Sequence, residues 1–333
     1  MSNIALITFL AVQLALVVAV YLNLRHRIKR LERKLQDQKR TTIAGSKLAT
    51  APSTPTQSHE TRTLKFQGGQ QLQVNVPPGL SSKPSIFVMG PHKSGTVLFN
   101  SIMAKVAHHA GYPTFDLPGS VFRAGLQLST LINPEEVLSL RGICFLGFRT
   151  TGVGGVPMKL ESNAKAVAII RDPRDMLTSL FFSEGKSHSV PESGPLRDEL
   201  LHRRESMTGV QIDDWILNRA PDNARTIAAW ADWIDSQPRG TVRVWRYEDV
   251  IFHKAEWIQS VVDWLGWEVS ADIVARVADE HDHRPDSEDT SKHIRRVAPG
   301  DHKGKLTPET VAELNHLFKD VIHRWGYDSH SLG

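Results

Sequence analysis

Short apolar runs alternate with amphipathic stretches along the chain from residue 85 onward. The apolar runs lack a strict alternation of apolar and polar residues, which is typical of parallel strands buried on both faces. They predict strands over 86–89, 143–148, 166–170 and 242–245, and the amphipathic stretches predict helices over 96–110, 173–182, 223–236, 254–265 and 307–325. This alternation predicts a three-layer α/β/α fold with a central parallel sheet.

Upstream of this pattern, apolar and polar residues alternate over 64–76 around Gly68 and Gly69, which predicts a small β-hairpin. Residues 41–62 are rich in Ser, Thr, Ala, Pro and Gln and show no hydrophobic period, so they predict a flexible linker. The globular domain is therefore expected over 63–333.

Residues 4–24 are almost wholly apolar and carry no charge, and their number is close to the ~20 residues that a membrane-spanning helix needs. A cleavable signal peptide would need a basic region before this run and a small-residue cleavage site after it, and the sequence has neither. Basic residues follow the run instead, in a juxtamembrane helix expected over 25–40. Because basic residues favour the cytoplasmic side, we expect a single-pass membrane protein, anchored by 1–24, whose globular domain faces the cytoplasm.

The distribution of charge and the number of cysteines limit the possible partners and the cellular compartment of the protein. Residues 25–40 contain eight basic and two acidic residues, whereas the net charge of the whole chain is +4. The remainder is thus slightly acidic and gives no argument for nucleic-acid binding, while the basic segment either meets anionic lipid head groups or is a solvated helix face. Cys144 is the single cysteine, so no intrachain disulfide can form and a reducing compartment is favoured.

The turn after the first strand of the predicted sheet organises the chemistry of the chain. It contains Gly90 and Gly95 and opens an amphipathic helix, so it presents unpaired backbone N–H groups to an anion, and Lys93 adds a cation. The spacing of the two glycines matches a nucleotide P-loop, but Thr96 and Val97 stand where that motif has Lys and then Ser or Thr. An ordinary strand-to-helix turn is the alternative.

Two further segments have the composition of anion sites. Arg171 ends a predicted strand directly before a helix that Pro173 can begin, and Ser179 lies about two turns along that helix. Arg295 and Arg296 lie in a Gly- and Pro-containing loop that can close over a phosphate. Taken alone, the first segment is equally compatible with a capped helix carrying surface ion pairs, and the second with a solvated basic loop.

Together, these segments resemble the donor-binding motifs of sulfotransferases that use 3′-phosphoadenosine 5′-phosphosulfate (PAPS). The run 93–97 resembles the 5′-phosphosulfate loop of that family, and Arg171 with a Ser eight positions later resembles its 3′-phosphate motif. Residues 295–303 resemble its C-terminal loop, with Val297 and His302 in place of the usual Gly and Trp. The resemblance implies that the donor is bound by Lys93, Ser94, Gly95, Thr96, Val97, Arg171, Ser179, Arg295 and Arg296.

A weaker match is the predicted strand that runs into Tyr247, Glu248 and Asp249. In the family the tyrosine of this segment lines the adenine site, which implies the same role for Tyr247. A core tyrosine at a strand end is equally compatible with the sequence. The family usually has a Trp where this chain has Leu98, so the packing around the adenine must differ.

In sulfuryl transfer, negative charge grows on the bridging oxygen of the donor, and Lys93 is the cation expected to stabilise it. The acceptor needs a general base. Cytosolic members of the family use a His after a middle strand, but residues 147–150 contain none. Asp116, His188 and Glu184 are the candidates, although Asp116 could equally be a turn or cap residue. No convincing set of metal ligands is evident, and the resemblance implies PAPS as co-substrate without a metal.

The sequence thus predicts a membrane-anchored PAPS-dependent sulfotransferase that acts on a hydroxyl or amine of a small-molecule, carbohydrate or lipid acceptor. Two alternatives stay open at this point. A P-loop kinase of a small molecule would need a lysine after Gly95 and Mg²⁺. A non-catalytic, anchored module could retain the fold and bind an adenine nucleotide.

Overall fold

The structure, a computed structural model, describes residues 59–187, 189–282 and 299–327, all of which belong to one compact unit. The predicted anchor, the basic helix and the linker up to residue 58 lie outside the described residues, as do His188, Arg295 and Arg296. No helix within the described ranges is both long and apolar enough to cross a membrane.

The first half of the described chain contains most of the strands. Its elements are, in chain order, β1 (Glu60–Lys65), β2 (Gln71–Val76), β3 (Ile86–Met89), α1 (Thr96–His109), β4 (Thr114–Phe115), α2 (Leu117–Arg123), a 3-10 turn (Leu128–Thr130), α3 (Glu135–Leu138), β5 (Cys144–Phe148), β6 (Gly152–Val153), β7 (Val156–Pro157) and β8 (Lys165–Ile170). Strands β1 and β2 form the expected antiparallel hairpin, but β1 begins at Glu60, within the stretch 41–62 that the sequence predicted as a linker.

The second half is mostly helical. Its elements are α4 (Pro173–Phe182), a π-helical turn (Ser183–Ser187), α5 (Pro195–Ser206), α6 (Ile212–Ser236), β9 (Val242–Arg246), α7 (Tyr247–Val250), α8 (Lys254–Leu265), α9 (Ala271–Glu280), α10 (His302–Lys305), α11 (Pro308–Leu317) and α12 (Lys319–Arg324).

Five parallel strands form the central sheet in the order β4-β5-β3-β8-β9. Side chains of one strand point alternately to its two faces. Phe87 and Met89 accordingly belong to the core on the side of α4, α6 and α11, and Ile86 and Val88 belong to the core on the side of α1, α8 and α9. Helices therefore cover both faces of the sheet, which confirms the predicted three-layer α/β/α class.

Several element boundaries differ from the sequence prediction. Helix α6 begins eleven residues before the predicted start at 223, because Trp215, Ile216 and Ala220 continue its buried face across Pro221. The predicted helix over 307–325 is two helices, which meet at the buried Phe318. The two-residue strand β4 at the sheet edge was not predicted, because two residues are too short to show a hydrophobic period.

Candidate active site

The loop between β3 and α1 lies at the carboxyl end of β3, with β5 and β8 on either side. The backbone N–H of Gly90 donates to the carbonyl of Phe148 at 3.0 Å. A Cβ atom at Gly90 would overlap the carbonyl oxygen of Ile169, so only glycine fits this close approach between strands. The Ser94 hydroxyl is fully buried and donates to the carbonyl of Pro91 at 2.8 Å. Ser94 therefore closes the loop from the inside.

The same loop leaves the start of α1 open to an anion. Gly95 precedes the helix with φ 90°, in the left-handed region, and no side chain caps the first turn. Lys93 also has a positive φ of 69°, which among the described residues is the only such value outside glycine. The first N–H groups of a helix have no intrahelical acceptor and carry partial positive charge. This geometry suits a phosphate or sulfate group, as the sequence predicted for residues 93–97.

Arg171 lies directly after β8 and is 8% exposed. Its Nη1 donates to the carbonyl of Lys93 at 3.3 Å, and its guanidinium lies over the ring of Tyr247, 4.6 Å from the centroid. Its Nε has no hydrogen-bond acceptor within the described part of the chain. A buried guanidinium with a spare donor is costly unless an anion binds it. Arg171 thus fits a phosphate group beside the loop.

Tyr247 contributes an aromatic ring that packs against Arg171 and the anion-binding loop. Its side chain is 6% exposed and packs edge-on against Phe99, with ring centroids 6.3 Å apart. A Cβ at Gly95 would come within 2.8 Å of the Tyr247 ring. The observed contacts of Tyr247 are therefore with the loop, the helix α1 and Arg171. Its role at the adenine stays a prediction.

Ser179 is half-buried on α4, one turn after Asp175 on the same face of the helix. No hydrogen bond of its hydroxyl to another described residue is present, in contrast to the neighbouring Thr178, whose hydroxyl donates to the carbonyl of Arg174 at 2.9 Å. The Ser179 hydroxyl can therefore donate to a bound anion, which keeps the predicted 3′-phosphate role open.

Arg149 is a site residue that the sequence analysis missed. It follows β5, and its Nε donates to the hydroxyl of Thr96, the first residue of α1, at 3.3 Å. Burial lowers the pKa of Arg149, and the negative charge of Asp116 acts in the opposite direction. The available signal was an arginine directly after a buried strand, the same signal that identified Arg171. The family motif at this position has a His that this chain lacks, and the motif assigns no role to the arginine.

Asp116 lies beside Arg149, as the N-cap of α2. Its Oδ1 accepts a hydrogen bond from the backbone N–H of Gly119 at 2.8 Å, and Arg123 lies 3.7 Å from its Oδ2. A Cβ at Gly147 would overlap Oδ1, so this carboxylate packs directly against the end of β5. The cap that the sequence offered as an alternative is therefore present, and the same carboxylate lies against the end of β5, two residues before Arg149.

The segment 300–302, which leads into α10, contacts the site through Asp175. Asp175 is fully buried in the first turn of α4. Its carboxylate accepts hydrogen bonds from the backbone N–H groups of Gly300 at 2.7 Å and His302 at 3.0 Å, and from His302 Nδ1 at 2.6 Å. Burial acts to raise the pKa of Asp175, but the bonds from His302 and the charge of Arg171 outweigh it and lower this pKa to about 2. Asp175 is thus an anion under all ordinary conditions.

A separate cavity of about 280 Å³ lies at the opposite edge of the sheet. Its lining includes Ser85, Leu140 and Ala164. Ser85 and Ala164 directly precede β3 and β8, and Leu140 lies a few residues before β5, so all three lie at the amino ends of these strands. The anion-binding loop lies at the carboxyl ends, where ligands of open α/β sheets bind. The cavity is therefore not part of the candidate site. No group of side chains in the described ranges has the composition of a metal site.

Comparison with known proteins identifies the family. Residues 83–326 match the family described as "Sulfotransferase domain". This match spans most of the chain, so the chain belongs to the sulfotransferase domain family and is a PAPS-dependent sulfotransferase. The family match decides for the sulfotransferase prediction and against the kinase alternative. A comparison with curated protein sequences gives no significant match.

Three solved structures show a partial similarity to this chain at low sequence identity. Mouse sulfotransferase SULT7A1 complexed with PAP is 14% identical with a TM-score of 0.48, covering 72% of this chain and 85% of that one. Retinol dehydratase in complex with retinol and PAP is 15% identical with a TM-score of 0.42, over 79% and 91% of the chains. A sulfotransferase from Alicyclobacillus acidocaldarius is 15% identical with a TM-score of 0.38, over 74% and 95%.

Proposed function

We propose that the loop of residues 93–97 binds the 5′-phosphosulfate of PAPS and that Arg171 and Ser179 bind its 3′-phosphate. The observation that carries this proposal is the buried guanidinium of Arg171, which contacts the Lys93 carbonyl and keeps a spare Nε donor. Two anion sites that touch each other suit a donor with phosphate at both the 5′ and the 3′ positions. ATP and ADP have no 3′-phosphate, so they would leave the spare Nε donor of Arg171 without an acceptor.

Lys93 and Arg149 are proposed to act on the transferring group. The acceptor oxygen attacks sulfur, the bond between sulfur and the bridging oxygen breaks, and 3′,5′-adenosine bisphosphate leaves with the added negative charge. Lys93, held in the loop, stabilises that charge on the bridging oxygen. Arg149 lies at the helix start through its bond to Thr96, where a second cation stabilises the equatorial sulfuryl oxygens.

Asp116 is proposed as the base that takes the proton from the acceptor hydroxyl. It lies at the carboxyl edge of the sheet against Gly147 and near the charge of Arg149, so it is close to the transfer site. One of its oxygens accepts the bond from Gly119, which fixes the orientation of the carboxylate. Its side chain is 40% exposed, so an acceptor can reach it from solvent. His188 stays a second candidate by sequence and lies outside the described residues.

The acceptor is proposed to be a hydroxyl of a carbohydrate or lipid near a membrane surface. The support is the uncharged apolar run over residues 4–24 followed by the basic segment 25–40. An anchor of this kind keeps the enzyme close to lipid-linked acceptors, and the order of the charges favours a catalytic domain that faces the cytoplasm.

The experiment that tests the donor is thermal unfolding of the purified protein with 3′,5′-adenosine bisphosphate, ADP or ATP-Mg²⁺. A ligand that binds only the folded state stabilises it by about 2.7 kcal/mol at a concentration of 100 Kd. We expect 3′,5′-adenosine bisphosphate to raise Tm most, and Arg171→Ala to abolish that preference. A larger shift with ATP-Mg²⁺ than with the bisphosphate would contradict the proposal.

A further inference from the structure

Asp175 connects two parts of the molecule that are 125 residues apart in sequence. Its carboxylate is fully buried, and both of its oxygens accept hydrogen bonds from the segment 300–302. Three N–H donors on one carboxylate make a strong and directional contact, because hydrogen bonds to an ionised acceptor are about twice as strong as neutral ones. This contact fixes the backbone before α10 against the first turn of α4.

The same carboxylate lies 3.6 Å from Nη2 of Arg171, which is beyond hydrogen-bonding distance but close enough for a strong charge interaction. At this distance Asp175 attracts the guanidinium without accepting a hydrogen bond from it, so the Nε donor of Arg171 stays available to a ligand. Arg171 in turn donates to the carbonyl of Lys93. A continuous series of contacts therefore runs from the segment 300–302 through Asp175 and Arg171 to the anion-binding loop.

We propose that Asp175 is a positioning residue for donor recognition, an inference that rests on the proposed PAPS site. Asp175 orients Arg171 toward the 3′-phosphate and holds the segment 300–302 beside it, without contacting the donor itself. The second observation is that the guanidinium has few other partners: its only side-chain hydrogen bond to a described residue is the 3.3 Å bond to Lys93, and its other contact is the ring of Tyr247. Without the carboxylate, the guanidinium can turn away, and the enzyme loses discrimination for the 3′-phosphate.

The test is isothermal titration of the whole protein with 3′,5′-adenosine bisphosphate and with 5′-AMP. These nucleotides differ only in the 3′-phosphate, so the ratio of their Kd values reports its recognition. In Asp175→Asn we expect this ratio to fall about tenfold, because a misplaced Arg171 loses one charge-assisted hydrogen bond to the 3′-phosphate. The Kd for 5′-AMP should change much less. A merely structural defect would weaken the binding of both nucleotides together.

Asp214→Asn is the matched control. Asp214 also lies in the first turn of a helix, α6, but it is exposed, so its removal should leave both Kd values as in the wild type. Steady-state kinetics give a second readout. Asp175→Asn should raise KM for PAPS about tenfold and leave kcat nearly unchanged, because the group acts on donor binding and not on the reacting atoms.

The possible outcomes separate the inference from the function on which it rests. A wild-type protein that binds both nucleotides equally would overturn the proposed donor site, and this inference with it. A wild type that prefers the bisphosphate, with an unchanged ratio in Asp175→Asn, would overturn the inference alone. If Asp175→Asn does not fold, the variant His302→Phe provides the test. It removes the bond from His302 Nδ1 to Asp175 and keeps the bond from the backbone N–H of residue 302. It should lower the preference for the bisphosphate over 5′-AMP. An unchanged ratio in that variant would also count against the inference.

Discussion

Burial and a small number of defined contacts determine the positions and the electrostatic strength of the charged residues of the site. Arg171 is almost inaccessible, and the ring of Tyr247, the carbonyl of Lys93 and the carboxylate of Asp175 surround it. Arg149 is half-buried, with one hydrogen bond to Thr96. Charges in such surroundings interact more strongly than charges in water, which is the condition for electrostatic stabilisation of a transition state.

Lys93→Ala should lower kcat by about 10²- to 10³-fold, the usual effect of removing one group that stabilises transition-state charge. The fold should be retained, because the side chain is only half-buried and alanine meets the same backbone requirement as lysine at this φ. Transfer from PAPS and Tm should be measured together. Lys159→Ala, an exposed lysine next to the separate cavity, is the control and should keep full activity. Unchanged turnover in Lys93→Ala would remove this residue from the mechanism.

Asp175 should make folding stability depend on acid pH. Its pKa is lowered from 3.8 to about 2 in the fold, so its contribution is fully present above pH 4 and is lost as pH falls toward 2. A shift of this size corresponds to about 2 kcal/mol. Urea unfolding of the wild type and of Asp175→Asn should therefore show the largest difference in the free energy of unfolding at pH 5–6 and a smaller one at pH 3. A difference independent of pH would contradict the assignment.

At the scale of single elements, an irregularity in β5 determines where Arg149 lies. Phe87 pairs with Phe145 and Met89 with Phe148, so β5 has one residue more than β3 between these pairs. This bulge contains Gly147 with φ 89°, whose N–H donates to the side-chain oxygen of Asn100 on α1 at 3.2 Å. A bulge bends a strand and redirects the residues after it. The end of β5 thereby reaches the start of α1.

Gly147→Ala should lower stability and activity together. Alanine at this φ costs about 1–2 kcal/mol, and its Cβ would also overlap Oδ1 of Asp116 and displace it. Gly209→Ala is a matched control, because Gly209 has φ 78° and nothing lies within 4 Å of its Cβ position. Urea unfolding and transfer assays of both variants separate the two effects. The control should lose only stability, and equal losses of activity in both would argue against a role for the Asp116 position.

At the scale of the whole molecule, the central sheet separates a site at its carboxyl edge from a cavity at its amino edge. The site collects residues from β3, β5 and β8 and from the helices α1, α2 and α4, so no single segment contains it. The C-terminal segment adds the contacts of Gly300 and His302 to Asp175. Residues 1–58 lie outside the described part of the chain, so the membrane anchor predicted over 1–24 stays a prediction.

Removal of residues 1–24 should release the protein from membranes and leave sulfuryl transfer to a soluble acceptor unchanged. The expectation follows from the uncharged apolar run over residues 4–24. Alkaline extraction of membranes, followed by immunoblotting, measures the distribution. Deletion of residues 41–58 keeps the apolar run and serves as the control, which should stay in the membrane fraction. Full release of the intact chain by alkaline extraction would contradict an integral anchor.

Sequence alone determined the features that depend on local pattern. The strands β3, β8 and β9 were predicted within one residue of their ends. Strands β3 and β8 are short apolar runs between clear breaks, and β9 combines Val and Trp, which favour strands. The loop after β3 was predicted from its glycines and Lys93, and Arg171 from its place between a strand and a proline-initiated helix. These features need only the residues of one segment, since backbone preference and hydrophobic period act over a few positions.

Only the tertiary structure decided which segments meet. The contact of Asp175 with His302, the bond of Arg149 to Thr96 and the packing of Asp116 on Gly147 each join residues that are far apart in the chain. The extension of α6 across Pro221 likewise depends on its buried face, which outweighs the local tendency of proline to end a helix. Such contacts depend on how strands and helices pack, and packing has no signature within any one segment.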